Sequence, residues 1–345
     1  MLPIQELDLT YISIERCPLC EHNQLDEYDS GTDTLAIEIN RFLSKNDAKL
    51  PPVINTRQQC KACHHIFLSP RMDPKSLKKI YEYWYGFAYN RIFDDNAHIA
   101  TRLNEFRKFH MKTVNKYRNN RKTLLDIGCG SGLFIKVAAE QGWSTIGIEM
   151  DENAAKFGQE HFGANIRIGT LETALNFNEK FDVITMFDYL EHSSSPKEDI
   201  TLAKKLLNPN GLLIIRVPNA NSLQSKFMKK QWLAIISNHL SYFSPDVLCD
   251  YLKKNDFNIE TVFAKNYQNE FNILQQRFNW ALGKLINKKK INSLSNDNFI
   301  SQEQVNANAF KRLLHSLLIE QIDHIGGWFN KGNNLMVVAK KNGKD

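Results

Sequence analysis

The sequence predicts an α/β fold: a doubly wound, mostly parallel seven-stranded sheet, with a small cysteine-bearing module ahead of it and a helical insertion before the last strand. Three observations carry this expectation. From Lys122 onward short apolar runs alternate with amphipathic stretches, the pattern of parallel strands joined by crossover helices. Ahead of that point four cysteines fall into two Cys-x-x-Cys pairs, at 17–20 and 60–63. Before the last apolar run lies a stretch too long for a bare loop, with helical apolar spacing at 270–286 and 303–322.

Taken in order, residues 1–72 read as the cysteine module and 73–120 as a helical connector. Asp73-Pro74 starts a helix that runs into the aromatic cluster Tyr81, Tyr83, Trp84, Tyr85, Phe87 and Tyr89, and an amphipathic helix follows over 97–117. The main domain takes 121–265 and 332–345, with strands at 123–127, 144–149, 165–169, 181–187, 211–217, 257–264 and 334–340. Asp151, Ser195 and Ser244 are expected to cap the helices that follow them, the last two ahead of proline at the first helical position. Residues 266–331 form the insertion, with the polar stretch 287–300 as its tip.

A chain of 345 residues, 42% apolar and 24% charged, has the balance of a folded globular protein rather than a disordered or fibrous one. With 44 basic and 38 acidic residues the net charge is +6, so no large uniform field is implied, and nucleic acid binding is permitted without being indicated. The lysine run at 288–290 reads as a solvated loop. The N-terminus lacks a basic region followed by an unbroken apolar core, and no run approaches membrane-spanning length, so a cytoplasmic protein is expected. In that compartment paired cysteines point to metal or redox chemistry rather than disulfides.

The strand ending at Asp126 runs into Gly128-x-Gly130-x-Gly132 and then a helix from Leu133, a turn that lets backbone approach a nucleotide-like ligand closely. Nicotinamide and flavin proteins use similar turns. Asp126 just ahead of the loop is a poor neighbour for a pyrophosphate and a suitable one for a ligand bearing ammonium and sulfonium charges, as S-adenosylmethionine does. Glu149, about twenty residues beyond the loop, can accept hydrogen bonds from ribose hydroxyls of either cofactor.

Leu124-Leu-Asp-Ile-Gly-Cys-Gly-Ser-Gly132, Gly147-Ile-Glu149, Phe181-Asp-Val-Ile, Leu190-Glu-His192 and Leu206-Leu-Asn-Pro-Asn-Gly211 resemble, in order and spacing, the motifs of Rossmann-like class I S-adenosylmethionine-dependent methyltransferases. The resemblance covers roughly 120–265 and the final strand. It implies that Gly128, Gly130 and Gly132 pass under the methionine moiety, that Glu149 holds the ribose with Met150 beside it, and that Thr170 and Leu171 flank the adenine. Phe187 and Asp188 would line the same pocket. Two positions depart from the usual pattern: Thr170 stands where an aspartate often meets the adenine amino group, and Asn210 where a glycine often precedes Gly211.

Methyl transfer requires a positioned acceptor and, for a hydroxyl or carbon acid, a base. His192 and His239 are the candidates, the latter in a His-x-x-x-Phe-Ser segment similar to that of many relatives; a packing or backbone-bonding role is the alternative for each. Asp188, Glu191 and His192 also resemble the cluster that binds a divalent metal in ubiquinone-biosynthesis O-methyltransferases. No Asn-Pro-Pro-Tyr-like turn follows the fourth strand, and Cys129 and Cys249 read as small packing residues rather than nucleophiles.

Cys17, Cys20, Cys60 and Cys63 offer four thiolates from two tight turns, the donor set of a closed tetrahedral structural zinc site, as in a zinc ribbon. His64 and His65 read as spare neighbours. The arrangement resembles the zinc-binding module that precedes the methyltransferase domain in bacterial enzymes acting on nucleotide-linked sugars, polysaccharide or natural-product precursors, and it implies a small-molecule acceptor of that class. By that resemblance Tyr85 and Tyr89 approach cofactor or substrate, against the plainer reading of an aromatic seam. An RNA methyltransferase gripping its substrate through the ribbon is the rival. The acids Glu6, Asp8, Glu15, Glu21, Asp26, Glu27, Asp29, Asp33 and Glu38 disfavour it. A zinc-containing scaffold without catalysis is a further alternative.

Overall fold

A computed structural model describes residues 9–32, 54–80, 96–177, 179–265 and 330–343. The aromatic cluster at 81–89, the lysine run and nearly all of the expected insertion lie outside the described residues. Five strands precede the main sheet: β1 (Tyr11–Ile12), β2 (Leu25–Thr32), β3 (Ile54–Cys60), β4 (Ile66–Leu68) and β5 (Arg71–Met72). The main sheet holds β6 (Thr123–Ile127), β7 (Ser144–Glu149), β8 (Ile166–Ile168), β9 (Phe181–Phe187), β10 (Leu207–Pro218), β12 (Phe257–Lys265) and β13 (Asn334–Lys341). A short β11 (Ser241–Tyr242) stands apart from it.

The order β12-β13-β10-β9-β6-β7-β8 is that of a seven-stranded doubly wound sheet. All pairings are parallel except those of β13, which runs antiparallel to both β10 and β12. Strands buried on both faces read as continuous apolar runs because alternate residues feed two separate cores. Leu125, Ile184, Leu213 and Val337 pack on one side, toward the helices Pro196–Leu206 and Pro245–Lys254. Leu124, Val183, Leu212 and Val338 pack on the other, against the helices Met111–Lys116 and Leu133–Glu140. Cys17, Leu19, Cys60 and Phe67 belong to the first of these cores, so the cysteine module shares the main domain's interior.

The module's sheet has the order β11-β4-β3-β2. Its edge strand β11 therefore comes from residues 241–242, far outside the stretch 1–72 that holds the cysteines.

Several boundaries differ from expectation for identifiable reasons. β10 begins at Leu207, four residues before the expected start at Gly211, and its pairing with β9 shifts register between Leu207 and Leu212. At that irregularity Asn210 is left-handed (φ 61), a conformation asparagine tolerates, which accounts for its standing in a glycine's place. The helix expected over 97–117 occurs as Asn96–Glu105 and Met111–Lys116 joined by a π-helical turn, Phe106–His110, which buries Phe106 and His110. Asp151 and Ser244 cap as expected, accepting from Ala154 N at 2.7 Å and Val247 N at 3.3 Å. Ser195 does not cap through its side chain; Ser193 Oγ instead accepts from Ser195 N at 3.0 Å and donates to Asp199. Among the described residues no helix is long and apolar enough to cross a membrane.

Candidate active site

β6 carries Asp126 as its penultimate residue and, after Ile127, releases the chain into the glycine loop at the carboxyl edge of the sheet. Gly128 and Gly132 have φ of 68° and 71°. A Cβ on Gly128 would lie 2.6 Å from Tyr189 Cδ2, and one on Gly132 would lie 2.7 Å from Ala164 Cβ. Both positions therefore require glycine on conformational and on steric grounds. Gly130 (φ 55°) sits between them, and its N–H donates to Glu149 Oε2 at 2.8 Å. The other carboxylate oxygen of Glu149 accepts from Asp151 N at 2.9 Å. Glu149 thus braces the loop while each oxygen retains a second lone pair for a ligand hydroxyl. Burial holds its carboxyl above the usual range.

Asp126 is buried and accepts a 2.6 Å bond from Thr185 Oγ1. Burial first, and then the charge of Glu149, push its carboxyl up to about 7, while the Thr185 bond pulls the other way. A cationic ligand beside it would be strongly favoured in the ionised form. Along the same edge Met150 and Ile168 are 51% and 47% exposed, an uncovered apolar wall next to Glu149. Thr170 is exposed while Leu171 and Phe187 are buried.

Asp188 follows β9 with φ 54°, its N–H donating to Arg216 O at 3.0 Å. Its carboxylate is paired with the Arg216 guanidinium, whose Nε lies 2.8 Å from Oδ1 and whose Nη2 contacts Oδ2. The buried Arg216 also donates to Glu105 Oε1 at 3.2 Å and contacts His110 Nε2. The grouping of Asp188 with Glu191 and His192 that the resemblance implies is not the one that converges: Asp188 pairs with Arg216, and His239 meets the other two.

Glu191, His192 and His239 do converge, each offering a ligand atom within 4.8 Å of the others. The two imidazoles meet edge to face at 4.6 Å between centroids. His192 Nδ1 lies 2.7 Å from Asn238 O and His239 Nδ1 lies 2.9 Å from Ala234 O. A carbonyl accepts, so both Nδ1 atoms carry the hydrogen and the basic lone pair of each ring is at Nε2. Burial pushes His192 down to about 4 and Glu191 up to about 8, and depresses His239 as well. All three side chains are therefore neutral near pH 7 unless a cation joins them.

The two cysteine turns are built alike. Glu21 N donates to Cys17 O at 2.8 Å and His64 N to Cys60 O at 2.9 Å, and Glu21 and His64 are both left-handed, with φ of 63° and 59°. Cys17 Sγ lies 3.6 Å from Cys63 Sγ and Cys20 Sγ 3.5 Å from Cys60 Sγ, with all four sulfurs within 4.8 Å. Four thiolates about 2.3 Å from a tetrahedral zinc stand about 3.8 Å apart, so the donor set fits that ion. No disulfide links them. His65 is not a bystander: it is fully buried, with Nε2 3.2 Å from Ser241 Oγ.

Residues 97–262 match the family model of a methyltransferase domain. The matched stretch contains the glycine loop, Glu149 and both histidines, and leaves out the cysteine module. Similar proteins include the ubiquinone biosynthesis O-methyltransferase of Cereibacter sphaeroides, 32% identical over 143 residues, 38% of this chain and 58% of that protein. The enzyme of the same name from Glaesserella parasuis is 27% identical over 192 residues, 51% of this chain and 79% of its own length. The chain spans a little over half the length of the first of these relatives. Among solved structures, a SAM-dependent methyltransferase from Archaeoglobus fulgidus has a TM-score of 0.45 at 19% identity, with 74% of this chain and all of that one covered. One from Thermotoga maritima, described as a possible histamine N-methyltransferase, has a TM-score of 0.47 at 17% identity, covering 77% of this chain and 100% of its own.

Sequence reasoning missed Thr185, Tyr189, Arg216, Glu105 and His110. Arg216 and Thr185 carried a signal, since each is a polar residue inside an apolar strand. Glu105 and His110 carried none, because their approach to Arg216 depends on the π-helical turn.

Proposed function

We propose that the protein is an S-adenosylmethionine-dependent methyltransferase acting on a hydroxyl of a small molecule. The observation that carries the reading is the pairing of a loop-bracing Glu149 with a buried, cation-seeking Asp126 at the edge where Glu191, His192 and His239 meet. Gly128, Gly130 and Gly132 admit the methionine moiety, Glu149 takes the ribose hydroxyls, and Met150, Thr170, Leu171 and Phe187 border the adenine. Asp188, held by Arg216, lines the same pocket. When bound, the cofactor supplies a sulfonium-activated methyl group.

Nε2 of His192 or His239 would take the proton of the acceptor hydroxyl, leaving its oxygen as the nucleophile toward that methyl group. A second reading is favoured by the convergence of Glu191 with the two imidazoles. These three would hold a divalent cation, which would lower the acceptor hydroxyl's pKa, the kind of activation that two strongly depressed histidines supply weakly by themselves. The names of the ubiquinone-pathway relatives support a hydroxyl acceptor, and the likeness of the cysteine module supports a sugar, polysaccharide or natural-product precursor. Cys17, Cys20, Cys60 and Cys63 would hold a structural zinc ion.

The test is calorimetric titration with S-adenosylmethionine and S-adenosylhomocysteine, followed by a labelled-methyl screen of phenols and nucleotide-linked sugars with and without added Mn2+. Absence of cofactor binding at millimolar concentration sinks the proposal. Label transfer that needs Mn2+ and disappears in Glu191→Gln selects the cation over the unaided base.

A further inference from the structure

The cysteine module is joined to the acceptor edge by a short run of contacts. Cys60 N donates to His65 O at 3.0 Å, tying the second cysteine turn to the start of β4. β4 pairs with β11 in the register Phe67–Ser241 and Ile66–Tyr242, and Leu68 N donates to Leu240 O at 3.0 Å. The His65 imidazole lies between Phe67 and Phe243, at 5.8 and 4.9 Å between centroids, and reaches Ser241 Oγ. Leu240, next to His239 in the chain, donates its N–H to Glu191 O at 2.7 Å. Every residue of 240–243 is buried. In the sheet order β4 is the neighbour of β11, and the residue after β11, Phe243, is also bridged to Asn219 and accepts from Ala220 N at 2.9 Å.

We propose that the metal-loaded cysteine module is the positioning element of the methyl-acceptor edge: it fixes β4, β4 and His65 fix β11, and β11 sets His239 against Glu191 and His192. This rests on the reading of those three residues as the acceptor-activating group, and it gives the module a task beyond its own folding. The hydrogen bonds of this path do not run through the glycine loop, which meets the acceptor edge where Tyr189 packs on Gly128. Loss of the module's metal should therefore loosen the acceptor edge and spare the cofactor edge. His65 is a positioning residue in this scheme.

The experiment is hydrogen–deuterium exchange on the full chain, as purified and after chelation with 1,10-phenanthroline, with calorimetric titration of S-adenosylhomocysteine on both forms. Chelation should raise exchange about tenfold in peptides spanning 236–243 and 189–193 and leave 123–132 unchanged, with affinity for S-adenosylhomocysteine altered by less than about threefold. Acceleration confined to 9–32 and 54–68 would overturn the proposal, as would a purified protein containing no metal. His65→Leu keeps all four thiols, so it should retain the metal, loosen 236–243 and bind S-adenosylhomocysteine normally, with His65→Gln restoring part of the protection. A His65→Leu protein protected like the wild type at 236–243 refutes the link through His65. If S-adenosylhomocysteine does not bind at all, the failure belongs to the functional reading and the exchange pattern still decides the coupling.

Discussion

Replacing Glu149 by Gln tests the cofactor edge where its chemistry is most constrained. The carboxylate accepts from Gly130 N at 2.8 Å and from Asp151 N at 2.9 Å, and it is 6% exposed. An amide side chain keeps one acceptor oxygen, so one of these two backbone N–H groups must face an NH2 group. Leaving a buried donor without an acceptor costs about 1–3 kcal/mol, which should appear as a loss of thermal stability even without ligand. The ribose would also lose one charge-assisted bond, worth about 1.5–3 kcal/mol, which is about a tenfold to hundredfold rise in Kd. Titration calorimetry with S-adenosylhomocysteine reads the second effect and a denaturant midpoint reads the first. A Glu149→Gln protein with wild-type stability and a Kd within twofold would refute both the bracing and the ribose assignments.

Three further outcomes are expected. Asp126 keeps its proton to about pH 7 when folded, whereas an unfolded aspartate loses it near pH 4, so the unfolded chain binds fewer protons in that window and stability falls as pH rises through it. Because the depressed His192 and His239 act in the opposite sense below about pH 6.5, the test is the difference: the urea midpoint of the wild type relative to Asp126→Asn should fall between pH 4.5 and 7.5. His192→Ala and His239→Ala should each cut methyl transfer at least about a hundredfold with cofactor affinity retained, and two fully active variants would remove both histidines from the chemistry. Metal analysis should return about one zinc per chain, lost in the double variant Cys20→Ser, Cys63→Ser together with several kcal/mol of stability.

The architecture was legible because the strands of a doubly covered sheet are unbroken apolar runs and each ligand-bearing loop follows one. Leu124 through Gly132 announces its own strand, turn and helix, and Asp151 its own cap. What could not be read was pairing between distant side chains. The family resemblance grouped Asp188 with Glu191 and His192, yet Asp188, in a left-handed turn, pairs with Arg216, and the residue that meets the other two is His239, from a segment about fifty residues downstream. The π-helical turn that brings His110 to Arg216 inserts no residue type that marks it in advance. His65 looked redundant beside four cysteines because its partner, Ser241, lies in a different part of the chain.

That last separation bears on how the molecule is made. β4 is finished at Leu68, but the strand that covers its edge is not synthesised until Tyr242. At typical elongation rates of about 5–20 residues per second, the nascent chain carries an uncovered strand for roughly 9–35 s. A fragment ending at Met72 would keep that edge bare permanently. Such a fragment should self-associate more readily than the full chain, and the chain should be most dependent on chaperones during the interval before Tyr242 emerges.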